Sequence, residues 1–123
     1  MAVAESQGIE SDLLPKIATG FCSGLARTGG LCGALTGGIM GLNLLTGRDD
    51  PEASSEENYA LVSELIDQFV EKFGAINCRE LTGVDLGTGE GQAAFKEKNQ
   101  LVNCLNYAEG TTRMVLSLAD IED

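Results

Sequence analysis

The chain has 123 residues, 8 of them Lys or Arg against 19 Asp or Glu, a formal net charge of −11, and no histidine. That length matches one domain of about 100–150 residues, and the charge argues against nucleic acid and anionic membrane surfaces, both of which call for clustered Lys and Arg. With imidazole absent, covalent or redox chemistry falls to sulfur and carboxylates.

In chain order, Met1 to Ile9 reads as the end of a longer N-terminal helix, with neither the basic region nor the apolar stretch of a signal peptide. The expectation is a cytoplasmic protein in a reducing compartment, where cysteines serve as metal ligands, catalytic groups or redox switches more often than as structural disulfides. Ser11-Asp12 can cap a short helix carrying Leu13, Leu14, Ile17 and Ala18, with Pro15 tolerated in its first turn. Thr28 to Gly47 is a run of twenty uncharged residues, the length of a membrane span. Seven of the twenty are Gly and only eight are Leu, Ile, Met or Ala, so it reads as a buried helix. Its Gly33, Gly37 and Gly41 lie four apart, which predicts a face where another helix backbone approaches closely.

Asp49-Asp50-Pro51 is a loop, after which Ser54 or Ser55 caps a long helix. Its apolar positions Tyr59, Val62, Leu65, Ile66, Phe69, Val70 and Phe73 follow helical spacing, and Gly74 stops it. A short turn carries Asn77-Cys78-Arg79-Glu80-Leu81 and leads into the loop Thr82 to Gly91. Its run Gly87-Thr88-Gly89-Glu90-Gly91 lacks the strand and Lys of a phosphate loop and reads as the start of a helix. A final helical region spans about 92–118, with a break near Asn99 and with Phe95, Leu101, Cys104, Leu105, Ala108, Val115 and Leu118 inward. No stretch alternates with period two. The fold class is all-α, a compact bundle of about four to six helices around a glycine-rich central one, in a single domain spanning 1–123.

Cys22, Cys32, Cys78 and Cys104 are the chemistry-bearing residues. They form no Cys-x-x-Cys pair and no zinc-finger spacing, so they act together only if the fold gathers them. Cys32 opens a helix and Cys78 follows Asn77, a cap, and precedes Arg79. Helix amides and a neighbouring cation lower a thiol pKa, which predicts that Cys32 or Cys78 alkylates fastest. Cys104, on an apolar helix face, reads by itself as a small buried hydrophobe. For Cys22, packing and function are both open.

Cys32-Gly33-Ala34-Leu35-Thr36-Gly37, with Asn77-Cys78-Arg79-Glu80-Leu81-Thr82-Gly83, Gly83-x-Asp85, Ile17-Ala18-Thr19-Gly20-Phe21 and Cys104, resembles the C_GCAxxG_C_C family over nearly the whole chain. The resemblance implies a small redox-active protein with four characteristic cysteines. A similar module in split-Soret-type cytochromes is associated with an iron–sulfur centre, but the chain has no Cys-x-x-Cys-His for covalent haem. Cys32, Cys78 and Cys104 match the family pattern. The family's first cysteine would fall before Met1, and Cys22 is the candidate replacement.

Three functional classes follow. The first is a thiol redox protein, possessing a thiol-dependent oxidoreductase activity or transferring electrons, in which two of Cys32, Cys78 and Cys104 form a reversible disulfide. The second is a carrier of an iron–sulfur cluster or another metal, held by Cys32, Cys78, Cys104 and Cys22. The third is a helical structural or interaction protein with buried cysteines. Expected partners are a second copy of the chain and a redox partner protein, with no nucleic acid and no membrane.

Overall fold

Where the apolar spacing of a segment is helical, a computed structural model of the protein, which describes residues 1–120, places a helix. The chain runs through α1 (Ala2–Ser6), α2 (Leu13–Ala18), a 3-10 turn (Thr19–Phe21), α3 (Cys22–Arg27), α4 (Gly33–Thr46), α5 (Glu56–Phe73), α6 (Cys78–Thr82), α7 (Gly89–Glu97) and α8 (Gln100–Leu118). Among the described residues there is no strand, only an isolated antiparallel bridge between Leu31 and Asn77. The fold is all-α, as its periodicity predicts. Residues 121–123, included in the single-domain span, lie outside the described residues.

The long helices α4, α5 and α8 form the centre. Leu35 and Leu42 of α4, Leu65 and Phe69 of α5 and Val115 of α8 are completely buried together. Each such side chain contributes about 1.5–3 kcal/mol by leaving water. Phe69, Phe73 and Tyr107 add an aromatic cluster, with Phe73 edge-on to both Phe69 (4.9 Å between centroids) and Tyr107 (4.8 Å).

Helix boundaries follow the local signals. The Ser54 hydroxyl accepts from the Glu56 amide at 3.3 Å ahead of α5. Gly74, left-handed at φ 90°, closes that helix by donating to the Val70 carbonyl. Asn99, at φ 52°, breaks the C-terminal region into α7 and α8. The Thr88 hydroxyl accepts from the Gly91 amide at 2.9 Å, so the glycine-rich run Gly87 to Gly91 does begin a helix. Of the twenty uncharged residues, α4 takes fourteen, and no helix among the described residues is long and apolar enough to cross a membrane.

Two expectations are corrected. The close contact of α4 is made at Gly38, not Gly37. A β-carbon on Gly38 would collide with Thr111 Cγ2 of α8, whereas nothing lies within 4 Å of one on Gly37. The face that meets the core is Leu35–Gly38–Leu42, at i, i+3 and i+7. In the Gly33–Gly37–Gly41 row, a β-carbon on Gly41 would meet Val3 of α1 at 3.0 Å. One on Gly33 would meet the Phe21 carbonyl oxygen at 3.4 Å and the Cys22 α-carbon at 3.5 Å, so the expected close backbone approach occurs at Gly33, while Gly37 is open. Tyr59, Val70, Leu101, Leu105 and Ala108, expected inward, are exposed. Val70 lies about 100° round α5 from Phe69. In α8 the buried residues begin only at Gly110, and the preceding turns line a cavity instead.

Candidate functional site

Two segments distant in sequence are joined by the Leu31–Asn77 bridge. The Cys32 amide donates to the Ile76 carbonyl at 2.8 Å and the Cys78 amide to the Gly30 carbonyl at 2.7 Å. These bonds flank Leu31 and Asn77, the non-hydrogen-bonded pair of a minimal antiparallel ladder. Side chains alternate across such a ladder. Cys32 and Cys78, each one residue beyond the pair, therefore project from the same face in a diagonal relationship. Diagonal positions lie about 7–8 Å apart, just beyond the Cα range of about 4.4–6.8 Å that a disulfide spans, so joining the two sulfurs requires the backbone to draw in.

Beyond each cysteine the backbone turns into a helix. Cys32 is the N-cap of α4 and Cys78 the first residue of α6. Threonines four residues on bind back to them: the Thr36 hydroxyl donates to the Cys32 carbonyl at 3.4 Å and the Thr82 hydroxyl to the Cys78 carbonyl at 2.7 Å.

Over this pair sits α3, which is not an ordinary helix. Ser23, Gly24, Leu25 and Ala26 all lie in the left-handed region, with φ 55–63° and ψ 41–71°. For residues other than glycine that conformation costs roughly 1–2 kcal/mol each. The turn is secured by the Gly30 amide, which donates to the Gly24 carbonyl at 3.1 Å, and by the Thr28 hydroxyl, which reaches the Leu25 carbonyl at 3.0 Å. Its effect is to lay the bare α-carbon of Gly24 directly on Cys78.

The remaining walls come from α6, α7, α8 and the loop before α7, and together they enclose a cavity of about 300 Å³. All four cysteines line it, despite their spread through the sequence. Cys32 and Cys78 are buried, at 7% and 8% exposure, Cys104 is half-buried and Cys22 is exposed. None is in a disulfide. Cys104 stands in the second turn of α8. Tyr107, one turn further on, has its ring fixed by Phe73, and its hydroxyl donates to the Leu81 carbonyl at 3.4 Å.

Burial pushes the Cys78 thiol above its ordinary value, and the neighbouring Cys32 adds to this, while the Thr82 hydroxyl pulls the other way. Cys104 is likewise pushed up by burial, then by Cys32 and Cys78, and Tyr107 by burial, then by Cys104 and Cys32. The lowered pKa expected for Cys78 is therefore corrected. Its presumed cation, Arg79, turns away to pair with Asp85 at 3.1 Å, both side chains well exposed. Desolvation disfavours the thiolate, and no cation offsets it.

Two members of the site were not singled out from the sequence. Gly24 carried no signal, because an isolated glycine does not reveal what presses on it. Tyr107 fell between the apolar positions of α8, and only the meeting of α5, α6 and α8 gives it a role. For a metal or iron–sulfur group the donor chemistry is suitable, four thiols and no competing ligand type, but the geometry is not preassembled. Among the described residues no three Cys, Asp or Glu side chains are grouped so as to hold a metal ion. Binding one would require side chains to be drawn inward.

Thiols on several helices, gathered around one apolar cavity in an all-α fold, define a helical cysteine protein. The family model described as "Putative redox-active protein (C_GCAxxG_C_C)" matches residues 1–118. The chain belongs to that family, and a general redox role comes with it. No curated protein and no solved structure matches the chain.

Proposed function

We propose that the protein is a thiol-based redox protein in which Cys32 and Cys78 form the reversible dithiol–disulfide pair, with Cys104 as a third thiol able to exchange with either. The observation that carries this reading is the bridge at Leu31–Asn77. It ties both cysteine amides across one ladder and turns both side chains to one face. On oxidation, one cysteine sulfur first bonds to the oxidant, and the thiolate of the other cysteine then attacks that sulfur and displaces the reduced oxidant, which takes up the two thiol protons. Two protein thiols become one disulfide, and two electrons pass to the oxidant. The test is anaerobic purification, mild oxidation with diamide and peptide mapping. The expected product is a Cys32–Cys78 disulfide with loss of two titratable thiols, and four unchanged thiols would overturn the reading.

A second reading, a metal or iron–sulfur carrier, is favoured by the convergence of all four cysteines on one cavity. Cys32, Cys78 and Cys104 would be the ligands and Cys22 the fourth. Metal and sulfide analysis of anaerobically purified protein separates the two readings: stoichiometric metal supports the carrier, and metal-free protein with a reversible disulfide supports the dithiol.

A further inference from the structure

Resting on the dithiol reading above, we infer that the cysteines exchange electrons with a small, uncharged organic disulfide of apolar build, and that disulfides bearing carboxylates or ammonium groups are poor substrates. The cavity, about 300 Å³, lies at the lower end of the range of roughly 300–1,000 Å³ typical of small-molecule sites. Its walls are supplied by Leu81, Leu86, Phe95, Leu101 and Tyr107, and the thiols and the Thr82 hydroxyl are among its few polar groups. No Lys, Arg, Asp or Glu among the described residues lines it. A charged group entering it would give up water and find no counter-charge, which is unfavourable for either sign. An apolar body carrying a disulfide loses nothing comparable and gains contact with the leucines and aromatic rings.

Access points the same way. With Cys32 and Cys78 only 7% and 8% exposed, their sulfurs are reached through the cavity, whose exposed lining residues, Cys22, Ser23 and Leu101 (57%), mark its mouth. A compact molecule passes where a folded protein surface does not. In the exchange, one cysteine thiolate attacks a sulfur of the small disulfide, forms a mixed disulfide and releases one small thiolate, which takes up a proton. The second cysteine loses its proton and attacks the protein sulfur of the mixed disulfide, releasing the second small thiol. The pair is oxidised to Cys32–Cys78 and the small disulfide is reduced to two thiols, or to one dithiol if it is cyclic.

The test uses the full reduced chain under anaerobic conditions with three probes: lipoamide (uncharged), oxidised glutathione (anionic) and cystamine (cationic). The rate of Cys32–Cys78 formation is read by mass spectrometry and divided by each probe's rate with free 2-mercaptoethanol, which removes intrinsic reactivity. Lipoamide should exceed both charged probes by about tenfold or more, at low and at high salt. A charged probe that equals it at high salt, where the surface charge is screened, overturns the inference. Exchanging the exposed Leu101→Lys places a cation at the mouth and should raise the relative rate of oxidised glutathione about fivefold or more. An unchanged ratio in that variant also overturns it. Diamide is the control: if it forms the disulfide while the probes show no preference, the substrate class alone is wrong. If neither diamide nor any probe forms it, the dithiol reading falls and the inference with it.

Discussion

Gly24 rests its α-carbon on Cys78: a β-carbon built there would overlap the cysteine side chain and stand 3.2 Å from its sulfur and 3.1 Å from the Gly30 carbonyl oxygen. The contact joins the left-handed turn of α3 to the start of α6, and so sets how deeply Cys78 sits in the cavity.

Gly24→Ala should therefore shift Cys78 and lower stability. Overpacking costs about 1–3 kcal/mol, and the left-handed φ of +63° adds about 1–2 kcal/mol for any residue with a β-carbon. Urea denaturation measures the loss, and peptide mapping after diamide should show a reduced yield of the Cys32–Cys78 disulfide. Wild-type stability and yield would remove Gly24 from the site.

The two adjacent glycines of α4 should behave oppositely. Gly38→Ala sets a methyl group against Thr111, Leu65 and Val115 and should cost about 1–3 kcal/mol. Gly37→Ala meets open space and should stabilise the helix by up to about 1 kcal/mol. Paired thermal melts of the two variants give the sign of each directly.

Labelling by iodoacetamide at neutral pH should be fastest at the exposed Cys22 and slow at Cys78 and Cys104, whose thiols burial pushes upward. Their rates should rise with pH and keep rising beyond the ordinary thiol value of 9.0, where an unperturbed thiol levels off. Mass spectrometry of the reduced protein across pH resolves the four sites, and rapid neutral labelling of Cys78 would contradict the desolvated environment described above.

The same shifts make stability depend on pH in one direction. Folded Cys78 and Cys104 hold their protons to higher pH than the unfolded chain, whose thiols ionise near 9.0. Below that value both states are protonated and the contribution is fully present. Above it the unfolded state gains by ionising first, so stability falls until the folded thiols also ionise. Chemical denaturation at pH 8 and pH 10 should show the decrease, and Cys78→Ala should diminish it.

Much of the architecture was legible before any tertiary contact was known. The spacing of Leu65, Phe69 and Phe73 defines one helix face, Gly74 supplies the left-handed stop, Asn99 breaks the C-terminal region, and the polarity of residues 28–47 argues against a membrane span. These depend on side-chain period and local backbone preference, which neighbouring residues carry by themselves. The family was legible for a different reason: its motif is written in contiguous residues, Cys32 to Gly37 and Asn77 to Gly83, which can be matched as a resemblance without any tertiary contact.

Tertiary structure alone decided the rest. That Gly38 and not Gly37 meets α8 depends on the rotation of α4 about its axis, which is set by what Leu35 and Leu42 bury against. That Arg79 serves Asp85 and leaves Cys78 without a cation depends on where the loop after α6 returns. The meeting of Cys22, Cys32, Cys78 and Cys104 around one cavity depends on the bridge at Leu31–Asn77 and on the packing of α8 behind it. Sequence determines which residues can ionise, cap or pack, but the free energy of a thiolate depends on the water, charges and walls around it, and those are assembled from segments far apart in the chain.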